Sequence, residues 1–285
     1  EMFRKNNLVM EDPRLLTMAA GYQQNLKRIL DLAAQNDIKV VLCTMAVNLT
    51  DCAPFGSTNR ADLTDEQRQA WQALYRDGRR AAQDGRLDDA MTAFTQAFSL
   101  DDQHAELVYR LAQLHRQRGE HEQTATWCSR ARDLDTQRFR TDSRLNDIIR
   151  KVAAEHPEIQ LADIEQVFGR LDDRDNFVDH VHFSMSGLYQ VCREVQTALR
   201  TWYELPEAPT YEALMARLLR THWSERKEAA FMLARRERPP FALQWGNQEQ
   251  MERLRQRIHD ANALIAGQDL NALEEAQGFK RLIDE

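Results

Sequence analysis

The 285-residue sequence is long enough to bury a sizeable core in one or two domains. Its hydrophobic fraction of 42% is ordinary for a globular protein, and its net charge of −7 argues against nucleic acid as the main partner. The sequence has no apolar run of about 18 residues, the length that spans a membrane, and its start is unlike a signal peptide. We therefore predict no nucleic-acid partner and no membrane segment in this chain.

Residues 1–63 are predicted to belong to an α/β domain. From Arg14 to Asn36 apolar residues recur at helical spacing, and a β-branched apolar run follows at 38–44. Such a run is typical of a strand covered on both faces in a parallel sheet. The polar segment after it lies where open α/β sheets bind ligands. Asn48 and Asp51 are therefore candidates for binding substrate, and turn capping is an equal alternative.

Residues 64–150 are predicted to be helical throughout and repeat with a period of 34 residues. Their large, small and aromatic positions resemble those of tetratricopeptide repeats. We predict two antiparallel helix pairs over 71–134, which offer a groove for a peptide or protein partner. Two repeats bury too little alone, so the helix near 139–151 is expected to cap them. The matched pairs are Tyr75–Tyr109, Gly85–Gly119, Ala97–Ala131, Leu100–Leu134 and Asp101–Asp135, while Ala112 and Thr124 replace Gly78 and Ala90.

A second strand pattern, 159–164, opens the next α/β segment, 151–202. Both apolar runs need cover on two faces, and the repeats cover only themselves. We therefore predict that 38–44 and 159–164 pair in one parallel sheet, which the repeats interrupt. Residues 203–285 form a charged helical extension of unassigned function. Its aromatic residues, His222, Trp223 and Trp245, are interpreted as packing residues.

The segment before the last α/β helix contains three candidate functional residues within four positions, Asp179, His180 and His182. A histidine oriented by a carboxylate is the base-and-orienter part of a hydrolytic triad, and the Asp-x-x-His spacing selects Asp179 and His182. A polar loop that caps a helix is the plainer alternative. A metal clip of His180 and His182 ranks lower, since no third ligand is obvious nearby. We predict neither a metal nor a cofactor.

Residues 177–190 resemble the last conserved block of the SGNH/GDSL hydrolase superfamily, whose Asp-x-x-His supplies the acid and base of a triad. The likeness is closer to a bacterial subgroup with tetratricopeptide repeats inside the hydrolase domain, and 40–57 and 131–150 share it. Leu188 replaces the Asn of that subgroup's Gly-Asn-Tyr. The resemblance implies a doubly wound, flavodoxin-like parallel sheet. It also implies a serine acyl-ester hydrolase or acyltransferase acting on an ester or an O-acetylated small molecule or carbohydrate, with Asp179 and His182 catalytic and His180 near the substrate.

The superfamily's Gly-Asp-Ser nucleophile motif is missing, and none of the seven serines stands in such a setting. We therefore expect the chain to be the carboxyl-terminal part of a larger hydrolase, with the serine outside it and no turnover of its own. The alternative is a tetratricopeptide-repeat interaction scaffold without catalysis. The four widely spread cysteines favour buried free thiols, a Cys43–Cys52 disulfide stays open, and the compartment is undetermined.

Overall fold

A computed structural model describes residues 7–169, 176–211, 213–214, 221–237 and 247–266 of the chain. Ten helices and two strands have defined bounds within these residues. Trp245 and the side chains of His222 and Trp223, predicted to be packing residues, lie outside this description. The described helices include none long and apolar enough to cross a membrane. The described cysteines form no disulfide.

The predicted strand pairing is confirmed. Strand β1 (Val41–Cys43) and strand β2 (Gln160–Ala162) are parallel neighbours, with Val41 opposite Gln160 and Cys43 opposite Ala162. The strands are shorter than the apolar runs that predict them. After β1 the backbone leaves the ladder, because the Met45 amide donates to Asn146 Oδ1 at 2.9 Å.

Helices cover both faces of this small sheet. Helix α1 (Pro13–Gln35) begins at Asp12, whose side chain accepts a hydrogen bond from the Arg14 amide. It lies on one face with α6 (Ser143–Glu155), and α7 (Ile164–Gly169) and α8 (Met185–Leu199) lie on the other. The alternation of side chains along β1 explains the two clusters, since Leu42 packs with the first pair and Val41 with the second.

The predicted flavodoxin-like sheet is larger than the sheet that the described residues form. The described residues are mostly helical and contain one two-stranded parallel sheet. The physical reason lies in the sequence pattern, because 38–44 and 159–164 are the two short β-branched runs and the remaining long segments have helical spacing.

The repeat segment forms two helix pairs, as predicted. Helix α2 (Asp65–Gln83) packs against α3 (Leu87–Leu100), and α4 (Ala105–Gln117) packs against α5 (His121–Asp133). Gly85 and Gly119, 34 residues apart, both adopt φ +74° at the turn inside each pair. This left-handed conformation strains other residues, so glycine at the two equivalent positions is a direct signature of the repeat.

The cap of the repeats differs from the prediction. The helix predicted as the cap, α6, packs mainly against α1 and also contacts the sheet. Its apolar residues Ile149 and Val152 lie in one buried cluster with Leu26 and Leu30 of α1. The outer side of the second pair is instead covered by the loop after β1, whose Ala53 packs with Val108 and Ala112. An extended segment therefore occupies a place where another repeat would stack.

Two further helices, α9 (Thr221–Arg236) and α10 (Asn247–Ala266), pack against each other. Ala229 and Met232 of α9 and Leu254 of α10 form a buried cluster with Val178. The carboxyl-terminal helices therefore pack directly on the segment that carries Asp179.

Candidate functional site

The segment around Asp179 folds into a tight loop before α8. The Val178 amide donates to the His182 carbonyl at 2.8 Å, and the Ser184 amide donates to the Asn176 carbonyl at 3.0 Å. Ser184 then caps α8, because its hydroxyl accepts a hydrogen bond from the Gly187 amide at 3.1 Å. The plainer alternative, a polar loop that leads into a capped helix, therefore describes the local structure correctly.

Asp179 is the centre of this loop and is only 2% exposed. Its Oδ1 accepts hydrogen bonds from the amides of Val181 at 3.0 Å and His182 at 2.9 Å. Its Oδ2 lies 2.9 Å from His182 Nδ1 and 2.7 Å from Nη2 of Arg235. Four groups from two parts of the chain therefore contact one buried carboxylate.

The protonation state of Asp179 follows from these contacts. Burial raises the pKa of the carboxyl, but the hydrogen bonds from the Val181 and His182 amides and from the His182 ring outweigh burial. The result is a pKa of about 2. Asp179 is therefore ionised at neutral pH and can hold an imidazole in one orientation.

The two histidines occupy different environments. His182 is 70% exposed, and the hydrogen bonds of its ring within the described residues go to Asp179 through Nδ1. The His180 ring is mostly buried, with edge contacts to Phe55 and Phe139 at centroid distances of 5.2 and 6.4 Å. Its Nδ1 is 3.6 Å from Asp179, and burial lowers the pKa of His180. The Asp-x-x-His spacing thus selects the histidine that the carboxylate orients.

Asn48 lies beside this loop. Its Nδ2 donates to the Asp179 carbonyl at 3.1 Å, and its amide donates to the His180 carbonyl at 3.0 Å. Its Oδ1 accepts a hydrogen bond from the Asp51 amide at 3.0 Å, which is a turn cap. Asn48 therefore caps a turn, which was one of its two alternatives, and it also contacts the loop of Asp179. A contact of Asn48 with substrate stays a prediction.

Asp51 is also buried and has two cationic partners. Its carboxylate lies 2.9 Å from Arg116 of α4 and 2.9 Å from Arg253 of α10. Its carbonyl accepts hydrogen bonds from Arg236 at 3.0 Å and Gln250 at 2.8 Å. Asp51 therefore joins the repeats to the carboxyl-terminal helices, and its predicted contact with substrate stays untested.

Sequence reasoning missed the basic residues of α9 and α10. Arg235 contacts Asp179, while Arg236 and Arg253 contact Asp51. The chain has 38 lysines and arginines, so no local pattern distinguishes these three from the rest. Their role depends on how the helices pack.

The geometry supports proton transfer better than metal binding. The described residues contain no group of three or more His, Cys, Asp or Glu side chains that could hold a metal ion. A histidine fixed through Nδ1 can accept a proton at Nε2. The Ser186 hydroxyl donates to Asn176 Oδ1 at 3.0 Å, and the Ser184 hydroxyl accepts a hydrogen bond from the Gly187 amide at 3.1 Å.

Comparison with known proteins identifies the repeat segment. Residues 81–141 match the family model of the tetratricopeptide repeat. No curated protein and no solved structure matches the sequence significantly. The family match covers less than half of the chain, so it assigns the repeat segment and gives no support to a hydrolase domain.

Proposed function

We propose that this chain is a protein-interaction scaffold built on its two tetratricopeptide helix pairs. The match over residues 81–141 carries this proposal, and the packing of α2–α3 and α4–α5 supports it. Repeats of this type stack helices into extended surfaces that bind other proteins.

We propose that the first helix pair carries the partner surface. The outer side of the second pair is covered by the loop after β1, and most of α4 is buried. In contrast, α2 exposes a row of charged side chains of both signs, including Arg76, Asp77 and Arg79. We propose that a partner contacts this row through polar and charged groups.

Site-specific photocrosslinking in the source cells tests this proposal. A photoreactive amino acid at position 76 or 79 is expected to give the same protein adduct. The matched control is position 151, where Lys151 is also exposed, on α6. Absence of an adduct from α2, or identical adducts from all three positions, would refute the partner surface.

A second candidate function is acyl-ester hydrolysis, and the Asp179–His182 geometry favours it. In this proposal His182 Nε2 removes the proton of a serine hydroxyl that comes from outside this sequence, and the serine oxygen attacks the ester carbonyl. Asp179 holds the ring through Nδ1 and stabilises the imidazolium, which then gives its proton to the leaving alcohol. The likeness of 177–190 to SGNH/GDSL hydrolases supports an ester or O-acetylated carbohydrate as substrate.

The matched pair of histidine variants tests this candidate in the protein that contains the serine. His182→Ala is expected to lower hydrolysis of p-nitrophenyl acetate by about 10²–10⁴-fold, the usual contribution of a general base. His180→Ala should leave most of the activity, because that ring packs against Phe55 and Phe139. Equal losses, or inhibition by a chelator, would favour a metal site instead. This chain by itself should show no turnover.

A further inference from the structure

The repeats bind a segment of their own chain through two equivalent aspartates. Asp101 directly follows α3, and Asp135 is the second residue after α5. The two aspartates are 34 residues apart in the sequence. Both are buried, with 0% and 2% of their surface exposed. Residues 55–60 run past both of these positions.

Each aspartate accepts hydrogen bonds from this segment. The amides of Phe55 and Gly56 donate to the two carboxylate oxygens of Asp135 at 2.9 and 3.0 Å. The side-chain amide of Asn59 and the backbone amide of Arg60 donate to Asp101 Oδ2 at 2.7 and 3.2 Å. One extended segment is therefore bound at the same position of two successive repeats.

Residues of the repeat segment also hold both carboxylates. The amide two residues later donates to Oδ1 in each case, from Gln103 to Asp101 at 3.0 Å and from Gln137 to Asp135 at 3.0 Å. Buried carboxylates need such partners, and Asp135 has a further one in Arg140, whose Nη2 donates to Oδ2 at 3.2 Å. The remaining hydrogen bonds come from residues 55–60. The site is thus a feature of the repeat and recurs with its period.

The site also selects the residue that faces Asp135. The Thr136 amide donates to the Gly56 carbonyl at 3.1 Å, which brings the two backbones close together. A Cβ atom at position 56 would lie 2.8 Å from Cγ of Gln137 and even closer to Oγ1 of Thr136. Glycine is therefore required there, and an asparagine three residues later contacts Asp101.

We infer that Asp101 and Asp135 form a peptide-binding site of the repeats, which residues 55–60 occupy in cis. Its outside ligand is an extended peptide with glycine opposite Asp135 and asparagine three residues later opposite Asp101. This inference rests on the proposed scaffold function and names the chemistry of a partner. A partner of this kind binds by displacing residues 55–60.

Opening the site by one substitution tests the inference. Gly56→Val is expected to expel the cis segment and leave both aspartates in place. A fluorescent peptide of residues 53–60 should then bind this variant at least about tenfold more tightly than the wild type, where the tethered segment competes at high effective concentration. The same peptide with valine for glycine is the matched control and should not bind. Equal binding to both proteins, or no binding to folded Gly56→Val, would overturn the inference.

A second measurement covers the case in which Gly56→Val does not fold. Asp135→Asn removes the acceptor of the Phe55 amide, so hydrogen exchange at positions 55 and 56 should accelerate by about tenfold or more. Asp102→Asn changes a neighbouring, partly exposed carboxylate and should leave these amides unchanged. Equal exchange in the two variants would count against the site.

The two proposals can fail separately. Crosslinks from α2 without peptide binding would refute the peptide site at Asp101 and Asp135 alone. Peptide binding without crosslinks would refute only the partner surface on α2.

Discussion

A close contact between α2 and α3 predicts that replacing Gly78 by alanine destabilises the protein. Gly78 of α2 faces Phe94 of α3, and a Cβ atom at position 78 would lie 2.5 Å from two carbons of that ring. The ring is 1% exposed, so it cannot move into solvent. Overpacking of this kind costs about 1–3 kcal/mol, whereas alanine gains about 1 kcal/mol over glycine in a helix. We expect Gly78→Ala to lower the free energy of unfolding by about 1 kcal/mol, and Gly78→Leu to lower it further.

The matched control is Gly21→Ala in α1. An added Cβ at position 21 would have no atom within 4 Å, so only the helix propensity changes. This variant should raise the free energy of unfolding by up to about 1 kcal/mol. The same chemical change thus has opposite signs at two mid-helix positions, and urea unfolding followed by circular dichroism measures both.

The second repeat indicates how the destabilisation caused by Gly78→Ala can be removed. The residues 34 positions after Gly78 and Phe94 are Ala112 and Cys128, which lie in one buried cluster. A larger residue on one helix is therefore matched by a smaller residue on the other. In a Phe94→Cys background, Gly78→Ala should become stabilising. Equal stabilisation at positions 78 and 21 in the wild type, or an unchanged penalty in the Phe94→Cys background, would refute the reasoning.

Two further predictions concern buried charges. Asp51→Asn should lower the free energy of unfolding by about 2 kcal/mol in urea titrations, less than for a fully buried pair because Arg116 and Arg253 are 22% and 35% exposed. Its effect should shrink in an Arg253→Gln background. The pKa of the Asp179 carboxyl is about 2, below its ordinary value of 3.8, so its ionised form stabilises the folded state by about 2 kcal/mol. This contribution to the free energy of unfolding is complete above about pH 4 and is lost as the pH falls towards 2. Asp179→Asn should abolish that part of the pH dependence; an unchanged profile would contradict the assignment.

Periodic features of the sequence correctly predicted the strand pairing and the two helix pairs. The apolar runs at 38–44 and 159–164 paired across the inserted repeats, because burial on two faces leaves a strand few alternatives. The 34-residue period placed Gly85 and Gly119 at equivalent turns, because both turns need a positive φ. The candidate site was equally local, since Asp179 and His182 meet within one tight loop.

The features that the sequence did not reveal depend on polar contacts over long distances. The cap of the repeats is an irregular segment, which has no period to detect. Arg235 reaches Asp179 from 56 residues away in a chain rich in arginine. Nothing in the local sequence of α9 separates an arginine that contacts Asp179 from one that faces solvent.

The segment after β1 explains how a repeat insertion contributes to a site formed by other parts of the chain. At its start, Asn48 binds the Asp179 carbonyl. Next, the Thr50 carbonyl accepts hydrogen bonds from Tyr109 and Gln113 of α4, at 2.6 and 2.8 Å. At its end, residues 55–60 bind the two equivalent aspartates. Because one short extended segment makes all of these contacts, the repeats limit where Asn48 can lie. The repeats and the loop that holds His182 therefore contact the same short backbone segment.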